Sequence, residues 1–185
     1  MRFTIRMSAL AAAALLTWAT PVAAQTSDGV MGELLNDLSQ VEKKVIGLAN
    51  AMPAAAHEWR PGKGVRSTSE TLMHIAADNY FFPAVMGVKT PAETGITKEY
   101  PTAAAFEKKV LPRDALIAEV QKSFAFLRTT MTAVPAAKMN EPIEMFGQKT
   151  TNRGVWIMAV AHLHEHLGQL IAYARSNNVT PPWSK

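Results

Sequence analysis

The chain has 185 residues, 19 of them basic and 15 acidic, for a formal net charge of +4, and it contains no cysteine. No disulfide holds the fold, so stability rests on packing, and no lipid anchor can attach through a thiol. The charges are nearly balanced, which argues against the basic stripe of a nucleic-acid-binding protein.

The first element in chain order is a leader. "MRFTIRMSALAAAALLTWATPVAAQTSDG" opens with Arg2 and Arg6 and no acid, and runs apolar from about Met7 to Thr20. It ends in Val22-Ala23-Ala24, the small-x-small pattern of a cleavage site. A membrane span needs about 20 apolar residues, and this run is shorter and mostly alanine. Residues 1–24 are therefore expected to be a signal peptide cleaved near Ala24. The mature chain, 25–185, would be periplasmic or secreted, with no stable membrane anchor. Its 161 residues suffice for one domain, with 17 basic against 15 acidic side chains.

Four stretches of the mature chain carry helical periodicity. The first spans about 30–51, with Val30, Leu34, Leu35, Leu38, Val41, Val45 and Leu48 spaced three and four apart; Pro53 stops it. The second begins at the capping box Ser67-Thr-Ser-Glu70 and runs to about Met86. A third covers about 114–133, ahead of Pro135. The fourth covers about 152–176, with Asn177-Asn178 as a left-handed cap and Pro181-Pro182 beyond it. Long connections at 54–66 and 87–112 read as irregular loops, and "EPIEMFGQKT" (141–150) as a short hairpin around Gly147. No segment is long enough to build a sheet. The expected fold is all-α, a four-helix bundle with long crossover loops rather than simple up-down order.

The chemistry concentrates in "HLHEHLGQL" (162–170). Each helical residue advances about 100°, so His162 and His166 sit about 40° apart on one face, while His164 points about 200° away from His162. Gln169 falls near the His162 direction, with Tyr173 one turn further on. Imidazoles at i and i+4 are placed to share one metal ion. A third ligand is available in His74, within "TLMHIAADNYFF" on the second helix; three histidines would leave a position open for water. His74 also reads as a satisfied core histidine, with the pair on the fourth helix a coincidence. The same stretch spells H-x-x-E-H, an inverted metalloprotease signature. That signature takes a further acidic ligand downstream, and the 19 residues after His166 include no acid, so it is rejected.

At these residues the chain resembles the DinB-like (damage-inducible) metal-binding four-helix bundle family. "HLHEHLGQLIAYARSNNVTPPWS" is similar to that family's last helix, with its His-x-x-x-His-x-Gly-Gln pattern at His162, His166, Gly168 and Gln169. "WRPGKGVRSTSETLMHIAADNYFF" is similar to the second-helix region, at Trp59-Arg60-Pro61, Gly64-Val65-Arg66-Ser67 and His74. The resemblance runs from about Val30 to Trp183. It implies a divalent metal ion, zinc or nickel, bound by His74, His162 and His166. Some relatives are thiol-dependent transferases using bacillithiol or mycothiol; others have no assigned reaction.

Around that triad, Asp78 reads as an exposed acid or as the partner that orients His74. Gln169 reads as a contact to metal-bound water or as a polar cap in the core. Tyr173 reads as packing, and Trp59 as a plug at the bundle end or a pocket wall. His57, His164 and Glu165 read as solvated. Three functions follow: an exported metal-binding bundle of unassigned chemistry, which the leader favours; a metal-dependent transferase or hydrolase of a small molecule; or a structural module in which a metal only ties helices together. A small molecule at the metal and a second copy of the chain stay open as partners; nucleic acid does not.

Overall fold

Four long helices carry the fold, and the spacing of apolar residues put each of them within a few residues of its true ends. A computed structural model of the protein describes residues 27–184; the leader at 1–24 lies outside the described residues. The elements are α1 (Ser27–Ala51), α2 (Ala54–Glu58), α3 (Thr68–Val85), α4 (Tyr100–Glu107), α5 (Arg113–Thr132), β1 (Pro142–Met145), β2 (Gln148–Thr151) and α6 (Asn152–Ser176). Ser67 caps α3 as expected: its hydroxyl accepts from Glu70 N at 3.2 Å, and Glu70 Oε2 accepts from Ser67 N at 2.7 Å. Asn178 takes the left-handed conformation past α6, with φ of 58°. The hairpin forms too, with Met145 opposite Gln148 across the turn Phe146-Gly147. The segments read as loops differ, because each contains a helix, α2 in the first connection and α4 in the second.

The bundle is a ring in which α1 and α3 sit diagonally and each packs against both α5 and α6. Side-chain contacts fix the directions. Arg113 at the start of α5 donates to Asn50 O at the end of α1, at 2.8 Å, so these two helices run antiparallel. Asn79 bonds Ser123 at 3.0 Å midway along α3 and α5, and Met86 and Thr130 line one pocket near their ends, so that pair is parallel. Tyr173 late in α6 reaches Arg66 O before α3, which makes α3 and α6 antiparallel. The order is up-down-down-up. Only the connection from α3 to α5 must run back along the bundle; the first long connection crosses one end.

That return places α4 over α3. Covered by α4, α5 and α6, α3 is buried without a break from Thr71 to Ala84. Its apolar side chains, including the fully buried Leu72 and Ile75, meet Leu38, Val45, Phe124 and Leu163 in one core. Burying each such side chain stabilises the fold by about 1.5–3 kcal/mol. The same enclosure leaves His74, Asp78 and Asn79 of α3 buried, where each needs a polar partner.

Candidate metal centre

His74 and Asp78 stand one turn apart on α3 and meet His162 and His166, one turn apart on α6. His162 Nε2 lies 3.0 Å from His166 Nε2, 3.3 Å from His74 Nε2 and 2.9 Å from Asp78 Oδ2. Asp78 Oδ2 is also 3.1 Å from His74 Nε2. All four donor atoms fall within 4.8 Å of one another. Ligands held about 2.0–2.1 Å from one zinc-like ion in tetrahedral array stand about 3.3 Å apart, so this donor set fits a single divalent ion.

The outer nitrogens explain why the inner ones converge. His74 Nδ1 donates to Glu107 Oε1 at 2.7 Å, His166 Nδ1 to Gln169 Oε1 at 3.0 Å, and His162 Nδ1 to Glu165 Oε2 at 3.1 Å. An acceptor on each Nδ1 fixes the tautomer and turns Nε2 inward, as ligating histidines require. Two of these links continue and meet at one residue. Glu107 Oε2 accepts from the Arg66 guanidinium at 2.9 Å. Gln169 Nε2 donates to the Tyr173 hydroxyl at 2.7 Å, which donates to Arg66 O at 3.0 Å. The loop ahead of α3 therefore braces imidazoles on both helices.

Electrostatics differ from one imidazole to the next. The Asp78 carboxylate against His162 raises that imidazole above its usual value, against the effect of burial. Burial holds His166 below its usual value. Burial alone would raise the Glu107 carboxyl, but His74 and Arg66 outweigh it and hold it low. A divalent ion would compete with protons for these nitrogens, so its binding should weaken as pH falls. His74 and Asp78 are enclosed, whereas the His162 side chain is 28% exposed, so the cluster is reached from the His162 side.

The sequence-derived residues fare unevenly. His74, His162 and His166 come together as expected. Asp78, read mainly as an exposed acid, is buried and stands among the donor atoms, because the side of α3 it occupies faces His162 of α6. Gln169 makes the polar contact in the core, between His166 and Tyr173. Tyr173 both packs and relays, with Trp59 edge-on to it at 5.3 Å. His164 points away, as its phase requires, and meets Asp37 at 3.0 Å on the surface. Glu165 is exposed but holds His162. His57 corrects the solvated reading: it is buried, Nε2 donates to Ala49 O at 2.9 Å, and Nδ1 has no partner among the described residues. Glu107 was missed altogether, since it lies 33 residues from His74 in a segment read as loop.

Two solved structures share the fold. One is a DinB-like protein from Bacillus cereus ATCC 10987, at 14% identity and a TM-score of 0.68, covering 82% of this chain and 95% of that one. The other is a DinB-like protein from Bacillus subtilis, at 18% identity and a TM-score of 0.62, covering 83% of this chain and 97% of that one. No curated protein matches the chain. The model of the DinB superfamily matches residues 37–170, a span with all of α3 and α5, most of α1 and α6 and every donor of the cluster, and the chain belongs to that superfamily.

Proposed function

We propose that the protein is an exported divalent-metal-binding bundle, its mature domain covering 25–185, that holds zinc or nickel and admits a small molecule to the ion. His74, His162, His166 and Asp78 are the ligands of this reading. The observation that carries it is the convergence of three Nε2 atoms and one carboxylate oxygen within 4.8 Å, each imidazole braced at its other nitrogen. Imidazole with carboxylate suits zinc and nickel. A bound ion with an accessible position supplies Lewis acidity toward water or a thiol.

Access through His162 supports this reading over a purely structural tie between helices. A hydrolase or transferase would call for a free general base, and each carboxylate at the cluster is already engaged. Asp78 faces two imidazoles, Glu107 is held between His74 and Arg66, and Glu165 is bonded to His162. Export rests on the leader.

The test is one preparation from the exported fraction of a host expressing the full chain. Elemental analysis should find about one zinc or nickel per chain, lost in His166→Ala and retained in His164→Ala, whose ring lies outside the donor set. Absence of stoichiometric metal, or equal loss in both variants, overturns the metal site. Mass spectrometry should find Gln25 first; an intact 1–24 segment overturns export alone.

A further inference from the structure

Further along α3 from the cluster, the hairpin and the start of α4 flank a recess of about 380 Å³. Three aromatic rings build it. Phe81 of α3 is its buried floor, 3% exposed, while Tyr100 of α4 and Phe146 at the hairpin tip are 46% and 64% exposed. Phe81 and Phe146 lie 6.1 Å apart at 29°, and Tyr100 stands edge-on to them at 5.7 and 6.3 Å. Lys98 and Glu144, of opposite sign, are the charged members of the wall, which leaves the recess with no net charge.

The recess continues the line of the metal donors. Phe81 follows His74 by seven residues and Asp78 by three, so it lies about 20° from His74 around α3, and about 4.5 Å beyond Asp78 along it. Phe82 fills the gap toward α6, edge-on to His162 with ring centroids 6.0 Å apart. Phe82 and Phe81 thus carry an apolar stretch of α3 from His162 to the three rings.

Phe146 is the informative residue. It and Gly147 have φ of 51° and 74°, both positive. A two-residue hairpin turn of this kind favours Asn-Gly or Gly-Gly, because a side chain strains the left-handed conformation. Phenylalanine accepts that strain and leaves most of its ring in water. Its contacts with Phe81 and Tyr100 offset part of that strain, and the face left in water is free to meet a ligand.

We propose that this recess takes the aromatic end of a small molecule whose anionic end binds the metal. The proposal rests on the metal-binding reading above. The ligand class is then an amphipathic acid, thiol or hydroxamate-like compound with a neutral ring about 5–10 Å from its head group, the spacing of Phe81 from Asp78 and His74 along the helix. Aromatic faces arranged edge-on and stacked select a planar ring over an aliphatic chain.

The experiment uses the zinc-loaded full mature chain and two probes, acetohydroxamate and 4-phenylbutanohydroxamate, which share a head group and differ by the ring and its chain. Calorimetry should give the phenyl probe about tenfold tighter binding to the wild type, the scale of one good aromatic contact. Phe146→Asn should erase that preference and leave acetohydroxamate unchanged. Its Tm should hold or rise, because Asn-Gly suits the turn. Equal affinity of both probes for the wild type, or a preference kept in Phe146→Asn, overturns the subsite while the metal reading stands. A lower Tm with both probes weakened makes Phe146 a packing residue and also overturns it. If neither probe binds the zinc-loaded chain, the accessible metal position falls and takes the subsite with it.

Discussion

Replacing Glu107 by alanine tests how the centre is held together. The Glu107 carboxylate accepts from His74 Nδ1 at 2.7 Å and from Arg66 at 2.9 Å. The His74 side chain is 8% exposed, so its outer N–H would lose its acceptor in a place water scarcely reaches. An orphaned buried donor costs about 1–3 kcal/mol. In a domain of this size each kcal/mol lowers Tm by about 2–4 °C, so the metal-free variant should melt roughly 2–12 °C lower. The ring would also be free to turn, and loss of such an outer partner weakens metal affinity about 10–100-fold. Glu107→Gln separates the two effects. Its amide oxygen can still accept from His74, but the charge that pairs with Arg66 is gone, so its zinc affinity should fall between wild type and alanine. Competition against a chromophoric chelator at fixed pH measures affinity, and thermal melts of the metal-free proteins measure stability. An alanine variant that melts lower yet keeps zinc affinity within about twofold of wild type would refute the reasoning, since the usual effect of such a partner is at least tenfold.

Two further outcomes are expected. Burial holds the His57 imidazole below its usual value, so the unfolded chain takes up a proton near pH 6.5 that the folded chain refuses. The stability this contributes is complete above about pH 6.5 and is lost as pH falls below it, toward the depressed folded value. Metal-free His57→Gln, which keeps a donor for Ala49 O, should therefore show a shallower fall in Tm between pH 7.5 and 5.5 than wild type; parallel curves would contradict it. Ser67→Ala removes the hydroxyl that caps α3 and should cost about 1 kcal/mol in denaturant melts, within the usual 0.5–2 kcal/mol for such caps; an unchanged midpoint would mean that the capping bond contributes nothing.

The long helices, the cap at Ser67, the left-handed Asn178 and the hairpin were all legible in the sequence. Each depends on residues within a turn or two of one another, and local spacing encodes those interactions directly. The pairing of His162 with His166, and the exclusion of His164, followed from helical phase in the same way. His74 stood as a third ligand from its place on a facing helix, and the resemblance to a known family strengthened that link, which no local pattern supplies.

Other properties depended on which surfaces meet. The sequence marks α3 as a helix but does not say which of its sides faces α6, so Asp78 read as exposed and turned out enclosed among the donors. Glu107 gave no signal, because its role comes from a return crossover that lays a short helix over His74, 33 residues away in the chain. His57 looked solvated on a loop and is buried against Ala49 at the end of α1, whose carbonyl also accepts from Arg113 of α5. The convergence of two bracing chains on Arg66 likewise exists only once α6 runs antiparallel to α3. Periodicity determined where the helices are and which residues share a face. Only the up-down-down-up packing decided which polar groups lost water, and those groups had to find one another because an unpartnered polar group in that interior is costly.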